Sequence, residues 1–240
     1  MKKFIFDIDG TLTPSRKQID PSFEAFMIKF CCKHDVYLVT GSNREKTIDQ
    51  IGLDVYYRAH RVYNCAGNDV YEKDKNVYRN PWKLPDDAKE FLLKELKQSL
   101  FSVRTGTHIE DRPGCVNFSI LGRGANWTER EVYKEWDRDN HERIEIAKRF
   151  NKEFPDLYAF VGGETGVDIS LKGCDKGQIL RDFNPKDEIH FFGDRMDENG
   201  NDYPLAEALK EMDGSTHYVT GWEDTRTRLV EFSASGEFFK

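Results

Sequence analysis

The 240-residue chain lacks four features that would each indicate a particular class of protein. No apolar run approaches the roughly 20 residues that a membrane-spanning helix needs, and the predicted first strand begins at once, which leaves no room for a secretory leader. The net charge of −7 argues against a general nucleic-acid-binding protein, because such proteins need a basic face. Five cysteines without a CxxC pair argue against a disulfide or zinc framework. We therefore expect a soluble, cytoplasmic protein with reduced thiols.

Two aspartates, Asp7 and Asp9, come directly after the first apolar segment of the chain, and Gly10 and Thr11 follow them. Side chains two residues apart in a regular strand share a face, so the two carboxylates would repel each other unless a cation lies between them or one is protonated. Oxygen ligands of this kind suit Mg²⁺, and an aspartate can also act as a nucleophile that forms an aspartyl-phosphate. The alternative interpretation is a solvated Asp-Gly turn after an edge strand.

The segment Asp7-Ile8-Asp9-Gly10-Thr11 resembles the first motif of the haloacid dehalogenase (HAD) phosphotransferase superfamily. The resemblance implies a phosphoryl-transfer enzyme in which Asp7 is the nucleophile, Asp9 is the general acid/base and Mg²⁺ is the cofactor. The remaining parts of such a centre must then lie in later segments of the chain.

Apolar segments that alternate with helical patterns predict an α/β fold. Short buried strands are predicted at Lys3–Ile8, Val36–Thr40, Ile189–Gly193 and Thr216–Thr220. Helical patterns between them indicate an open, HAD-like Rossmannoid core with a parallel sheet, which binds ligands at the carboxyl ends of its strands. Asp7, Thr40 and Asp194 all lie at such ends.

The middle of the chain has a different pattern. Apolar and polar residues alternate along Cys115–Leu121 and Gly166–Leu171, which is typical of antiparallel strands with one covered face. A further strand is predicted at Phe101–Glu110, and one long charged helix from Trp127 to about Lys152. We therefore expect an inserted α+β cap with an antiparallel sheet over residues 81–176, and a catalytic core formed by residues 1–80 and 177–240.

Thr40 and Lys176 have the pattern of phosphate-binding residues. Thr40 ends a predicted strand just before a helix, whose free N–H groups can hold a phosphate, although an ordinary helix cap is an equally good local explanation. Lys176 offers a point charge that would stabilise phosphoryl transfer, whereas locally it could be an exposed lysine after a helix-starting aspartate. In the HAD pattern, Thr40 stands at the second motif as a phosphate ligand and Lys176 at the third.

Asp194 follows the predicted strand Ile189–Gly193, and Asp202 lies eight residues further on. We expect Asp194 to complete the Mg²⁺ site with Asp7 and the backbone carbonyl of Asp9. Asp202 is predicted to support that site from behind or to bind a second cation. Helix N-capping before Pro204 is compatible with either role of Asp202.

Three arginines, Arg112, Arg123 and Arg130, fall close together in the predicted cap. Guanidinium groups that face one cleft form a fork-shaped site for a dianionic phosphate, although each arginine alone is typical of a protein surface. Arg16, just after the first motif, is placed to reach the same cleft from the core.

Motifs over nearly the whole chain resemble the eukaryotic-type phosphomannomutases. The matching segments are Asp7 to Pro14 with Arg16, Arg112-Pro113-Gly114 through Arg123, Glu129-Arg130, Gly162-Gly163 through Asp168, Gly173 to Lys176, and Phe191 to Asp194 with Gly200-Asn201-Asp202. The resemblance implies reversible conversion of mannose 6-phosphate and mannose 1-phosphate, activated by a hexose 1,6-bisphosphate, in a homodimer formed through the cap. It also implies that Arg16, Arg112, Arg123, Arg130 and Asp168 bind the sugar phosphate.

Two segments depart from that family's pattern. Gly166 replaces a substrate-binding serine, and Cys65-Ala66-Gly67 replaces a Glu-Asn-Gly stretch. A HAD sugar-phosphate phosphatase, which lets water attack phospho-Asp7, is therefore the alternative function. A catalytically silent binding protein on this fold would have lost Asp7, Asp9, Lys176 or Asp194, and all four are present.

Overall fold

The first and last parts of the chain fold together as one unit, and the middle part folds as another. The computed structural model describes residues 2–198, 200–212 and 214–234. The first unit takes in the chain up to residue 79 and from residue 175 onward, and the second contains residues 80–174. These divisions lie one and two residues from the predicted ones.

The secondary-structure elements are numbered in chain order. The strands are β1 Lys2–Phe6, β2 Asp35–Val39, β3 Arg61–Asn64, β4 Asp69–Glu72, β5 Lys75–Arg79, β6 Ile109–Arg112, β7 Cys115–Phe118, β8 Leu157–Gly162, β9 Gly166–Leu171, β10 Glu188–Gly193 and β11 Ser215–Tyr218. The α-helices are α1 Pro21–Cys31, α2 Arg44–Arg58, α3 Asp86–Gln98, α4 Trp127–Asn140, α5 Glu142–Glu153, α6 Tyr203–Lys210 and α7 Trp222–Ala234. Short 3₁₀ helices span Cys65–Gly67 and Lys176–Asp182.

The first unit is built on a seven-stranded sheet in the order β11-β10-β1-β2-β3-β4-β5. The strands from β11 to β3 are parallel, whereas β4 and β5 are antiparallel. Side chains of β1 alternate between the two faces: Phe4 and Phe6 pack with α1, α2 and α7, and Ile5 packs with α6. With helices on both faces, β1, β2, β3 and β10 are largely buried, whereas the edge strand β11 is largely exposed. The carboxyl ends of the parallel strands remain as the place for a site.

The second unit is built on a four-stranded antiparallel sheet in the order β6-β7-β9-β8. One face of this sheet, which carries Phe118, Val167 and Ile169, is covered by α3, α4 and α5. The opposite face carries polar side chains on β6, β7 and β9 and the aromatic side chains of Tyr158 and Phe160 on β8. The predicted fold class, an α/β core with an inserted antiparallel sheet, is confirmed.

The predicted single helix from Trp127 to Lys152 is wrong, because α4 and α5 are separate helices. His141 lies between them in the left-handed region, with φ of 55°. The carboxylate of Asp137, at the end of α4, accepts hydrogen bonds from the backbone and side chain of Arg143 at 2.9 and 2.7 Å, and so caps the start of α5.

The strand predicted at Phe101–Glu110 is also wrong over most of its length, since β6 begins at Ile109. The short strands β3, β4 and β5 were not predicted. Among the residues that the structure describes, no helix is both long and apolar enough to cross a membrane.

Candidate active site

Asp7 leaves the sheet at the carboxyl end of β1. Its backbone N–H still donates to the carbonyl of Phe192 on β10, at 2.9 Å, and its side chain is buried. The chain then turns tightly, and Gly10 has φ of 87°. A side chain at Gly10 would collide with the carboxylate of Asp194, so both the turn and the approach of Asp194 require glycine.

Three carboxylates converge at this edge of the sheet. One oxygen each of Asp7, Asp194 and Asp202 lies within 4.8 Å of the other two. Asp194 comes from the end of β10, and Asp202 from the residue before α6. The structure thus brings together three of the residues that the sequence predicted for a metal site.

Lys176 lies inside this cluster. Its Nζ donates to Oδ1 of Asp7 at 2.5 Å and to Oδ1 of Asp202 at 2.7 Å, and the lysine is 1% exposed. Burial by itself would lower the pKa of Lys176, but the two carboxylates raise it above its ordinary value, so the ammonium stays charged. The second oxygen of Asp202 accepts from the backbone N–H of Arg195 at 3.1 Å. Both oxygens of Asp202 are therefore engaged within the protein.

One ammonium group does not balance three carboxylates. Burial raises the pKa of Asp7 well above its usual range, against the pull of Lys176, and the charges of Asp202 and Asp194 raise it further. Burial and the charge of Asp202 raise the pKa of Asp194 to about 6. A divalent cation among these oxygens would relieve the repulsion, and an all-oxygen donor set fits a hard cation. The cluster therefore fits a metal site.

The side chain of Asp9 lies outside that cluster. Its Oδ1 accepts from the backbone N–H of Arg16 at 2.7 Å and from Nε2 of Gln50 at 2.9 Å, and its Oδ2 is 3.8 Å from Nζ of Lys46. Burial would raise the pKa of Asp9, but Lys46 and the two N–H donors outweigh it and lower the pKa. The predicted metal ligand of Asp9 is its backbone carbonyl, so these side-chain contacts leave that prediction open and place the carboxylate apart from the cluster. The regular strand ends at Phe6, so Asp7 and Asp9 do not share a strand face.

Sequence reasoning missed Gln50 and Lys46. They lie four residues apart on α2, and residues with that spacing share one face of a helix. Both residues lie on the helix that follows the Thr40 loop, and this position was a signal that they could belong to the site. Only the fold, however, brings α2 to Asp9.

Thr40 directly follows β2 and is buried. Its hydroxyl oxygen accepts from the backbone N–H of Ser42 at 3.1 Å, and its carbonyl accepts from the N–H of Ala66 at 2.8 Å. Asn43 caps α2 by accepting from the backbone N–H of Lys46 at 3.1 Å. The helix cap of the local alternative is therefore present, and it is formed by Asn43 and leaves Thr40 at the strand end.

The polar face of the second unit brings together several of the predicted substrate residues. Arg112 and Arg123 both bind Oε2 of Glu110, at 2.7 and 2.9 Å. Nη1 of Arg112 lies 3.9 Å from Oδ1 of Asp168. Arg130 binds elsewhere, with Nε donating to the carbonyl of Ala125 at 3.2 Å and Nη1 3.9 Å from Glu164. Glu110, which organises two of the arginines, was not predicted.

The sequence of this chain is similar to known proteins of one family. A family model described as eukaryotic phosphomannomutase matches residues 23–234. A phosphomannomutase of Spinacia oleracea is 31% identical over 235 residues, which cover 95% of this chain and 94% of that protein.

Two solved structures are similar in fold. An IMP-bound, N-terminally truncated IMP-nucleotidase of Plasmodium falciparum has a TM-score of 0.65 at 16% identity, over 98% of this chain and 68% of that one. A HAD subclass IIB sugar phosphatase has a TM-score of 0.62 at 14% identity, over 97% and 99%. At these identities the likeness concerns the fold alone.

Proposed function

The chain belongs to the eukaryotic phosphomannomutase family, and we propose that it interconverts mannose 6-phosphate and mannose 1-phosphate through a phosphoryl group carried on Asp7. Membership confirms the family resemblance of the motifs and carries the proposal. The buried contact between Asp7 and Lys176 supports Asp7 as the nucleophile, because the ammonium fixes one carboxylate oxygen and leaves the other for attack.

The reaction divides into two half-reactions that share one proton. In the first, Asp9 takes the proton of a sugar hydroxyl whose oxygen attacks the phosphorus of phospho-Asp7, the bond from phosphorus to Asp7 breaks, and a hexose 1,6-bisphosphate forms. In the second, Asp7 attacks the other phosphate of the turned sugar, and Asp9 returns the proton to the leaving oxygen. The lowered pKa of Asp9 supports this order, because it keeps the carboxylate ionised at the start.

We propose Mg²⁺ as the cation of the acidic cluster. Asp7, Asp194 and the backbone carbonyl of Asp9 would hold it, while Asp202 orients Lys176 from behind. When bound, Mg²⁺ supplies neutralisation of the charge on the phosphoryl oxygens. Lys176 adds to that neutralisation, and Thr40 is proposed as a ligand of the transferred phosphate.

The phosphate that is not reacting is proposed to bind Arg112, Arg123 and Arg130, with Asp168 on the sugar, and Arg16 is proposed as a further ligand of the sugar phosphate. Each guanidinium can offer two parallel N–H donors to a phosphate, which suits a sugar that must present either end. Carboxylates hold these arginines in the described structure, and a phosphate dianion would compete with them for the same donors.

Membership of the family also supports proposals for the activator, the assembly and the location of this protein. The activator is a hexose 1,6-bisphosphate, which places the first phosphoryl group on Asp7. The assembly is a homodimer through the second unit, which sedimentation would test. The location is the cytoplasm, where the five cysteines, all free in the structure, would stay reduced.

The test follows mannose 1-phosphate with Mg²⁺ by ³¹P NMR, with and without a catalytic amount of glucose 1,6-bisphosphate. We expect a 6-phosphate signal that grows only when the bisphosphate is present. Free inorganic phosphate without any 6-phosphate would contradict the mutase and indicate the phosphatase instead, because water would then have attacked phospho-Asp7.

A further inference from the structure

Three polar side chains form a row across the face of the four-stranded sheet that lies opposite the face packed on α3, α4 and α5. Glu110 on β6 lies opposite Asn117 on β7, and Asn117 lies opposite Asp168 on β9. Residues directly opposite each other in neighbouring strands share a face. Asn117 therefore stands between two carboxylates, on the same face as Arg112.

Asn117 is buried, with 4% of its surface exposed, and both ends of its amide are engaged. Nδ2 donates to Oδ1 of Asp168 at 2.6 Å, and Oδ1 accepts from Nη1 of Arg123 at 3.4 Å. An amide can donate to a carboxylate and accept from a guanidinium at the same time, which a carboxylate or an ammonium cannot do. Asn117 thus connects an acidic residue of the proposed sugar-phosphate site to a basic one.

A pair of glycines makes room for this amide. Gly162 on β8 lies opposite Gly166 on β9. A Cβ at Gly166 would lie 2.5 Å from Nδ2 and 2.9 Å from Oδ1 of Asn117, and a Cβ at Gly162 would overlap the carboxylate of Asp168. Neither glycine has a positive φ, so the space they leave, and not their backbone freedom, explains their presence.

We infer that Asn117 is a positioning residue for sugar-phosphate binding, which holds Asp168 and Arg123 apart at a fixed spacing, and that Gly166 is a glycine so that Asn117 can do so. The inference rests on the proposed function, since it concerns the same site. Without the amide, Arg123 and Asp168 carry opposite charges with nothing between them, and their direct pairing would remove Arg123 from the phosphate.

The first test measures the Kd of mannose 6-phosphate by calorimetry for the wild type, Asn117→Ala and Asn117→Leu. Leucine has the same branching of non-hydrogen atoms as asparagine but is larger and has no hydrogen-bonding groups, so it fills the site and removes the connection. We expect the Kd to rise about tenfold or more in both variants, the usual effect of losing a hydrogen bond to a charged group. Hydrolysis of p-nitrophenyl phosphate, which has no second phosphate, is expected to keep its KM.

The matched control is Asn151→Ala. Asn151 lies in the same unit, on α5, and its amide makes two hydrogen bonds with Ala159, at 2.7 and 2.8 Å. Loss of these bonds is expected to lower the melting temperature without changing the Kd of mannose 6-phosphate. A Kd that rises as much in Asn151→Ala as in Asn117→Ala would reduce the role of Asn117 to stability and overturn the inference.

A second test asks whether Gly166 acts through Asn117. Gly166→Ala is expected to raise the Kd by a similar factor, because the new methyl group displaces the amide. In the background of Asn117→Ala, the same change is expected to have little further effect, since the displaced group is gone. Independent, multiplicative effects of the two substitutions would overturn the coupling of Gly166 to Asn117.

The outcomes separate this inference from the proposed function. Isomerisation by the wild type together with an unchanged Kd in both Asn117 variants would overturn the role of Asn117 alone. Binding of mannose 6-phosphate without isomerisation would overturn the mutase and leave the Asn117 test valid. No binding of mannose 6-phosphate to the wild type would overturn both.

Discussion

The two units of this protein arrange charged side chains differently at their candidate sites. In the first unit, three carboxylates surround one lysine that is 1% exposed. In the second unit, the arginines are paired with carboxylates, and Arg123 keeps 27% of its side chain exposed although it binds Glu110. One region is a buried, crowded, net negative centre, and the other is a partly open surface on which arginines and carboxylates pair.

This difference predicts which substitutions should have large effects on activity and stability and which should have smaller effects on binding. Charges removed from water interact strongly, so the loss of one partner leaves a large uncompensated penalty. Charges that remain partly solvated are screened, so the loss of one weakens binding without removing the chemistry. Substitutions in the first unit should therefore affect all substrates and stability, and those in the second should affect only ligands that carry a second phosphate.

The largest effect is expected for Asp7→Asn, which removes the proposed nucleophile. Turnover of both mannose 1-phosphate and p-nitrophenyl phosphate should fall by roughly 10⁴-fold or more. Asp69→Asn is the matched control, because Asp69 is also buried in the first unit but binds Arg79 at 3.0 Å on an outer strand. Unchanged turnover in Asp7→Asn would remove Asp7 from the nucleophile position.

Lys176→Met should give the largest loss of stability. It leaves Asp7 and Asp202 buried without their common ammonium, which costs about 3–5 kcal/mol in the free energy of unfolding. Urea unfolding in EDTA measures the loss, and added Mg²⁺ should restore part of it. Lys210→Met serves as control, because Lys210 pairs only with Glu207 on an exposed helix face among the described contacts. Equal losses in the two lysine variants would show that the buried centre is not electrostatically crowded.

Arg123→Ala should separate the two units by substrate. We expect the KM for mannose 1-phosphate to rise roughly 10–100-fold, because charge-assisted hydrogen bonds to phosphate are lost. The KM for p-nitrophenyl phosphate should stay within about twofold, since its only phosphate reacts at Asp7. Arg138→Ala, with an arginine 73% exposed in the same unit, should change neither. Equal rises for both substrates would exclude Arg123 from binding the second phosphate.

The smallest effect concerns backbone strain in the first unit. Ala66 has φ of 56°, and its carbonyl accepts from Nε2 of Gln178 at 2.8 Å. Ala66→Gly should raise the free energy of unfolding by about 0.5–1 kcal/mol, because glycine adopts this conformation without steric cost. The same change at Ala88, inside α3 of the second unit, should lower it by about 1 kcal/mol. Changes of the same sign at both positions would contradict strain at Ala66.

Much of the fold could be predicted because its signals are local. Buried parallel strands are continuous apolar runs. Each of the four predicted strands of the parallel sheet begins and ends within two residues of the observed strand. The alternation along Gly166–Leu171 predicted β9 with its bounds. The helix break at His141 could not be predicted this way, because it depends on Asp137 accepting from Arg143 across the turn.

The candidate site shows the same division. The strand-end positions of Asp7, Thr40 and Asp194 indicated that they meet, because the carboxyl ends of parallel strands share one edge. The partners of Asp9 were missed, since Gln50 is 41 residues away in sequence. Glu110 and Asn117 were missed because a polar residue on the open face of an antiparallel strand is ordinary until its neighbours are known.

Apolar periodicity and short motifs depend only on nearby residues. The fold class, the family and the residues at the strand ends could therefore be predicted from the sequence alone. Only the tertiary structure decided which charges meet: Lys176 between Asp7 and Asp202, Asp9 on Gln50, and Asn117 between Asp168 and Arg123. The physical reason is that hydrogen bonds and ion pairs act over a few ångströms in space, and residues far apart in the chain reach that distance only after the sheets have formed.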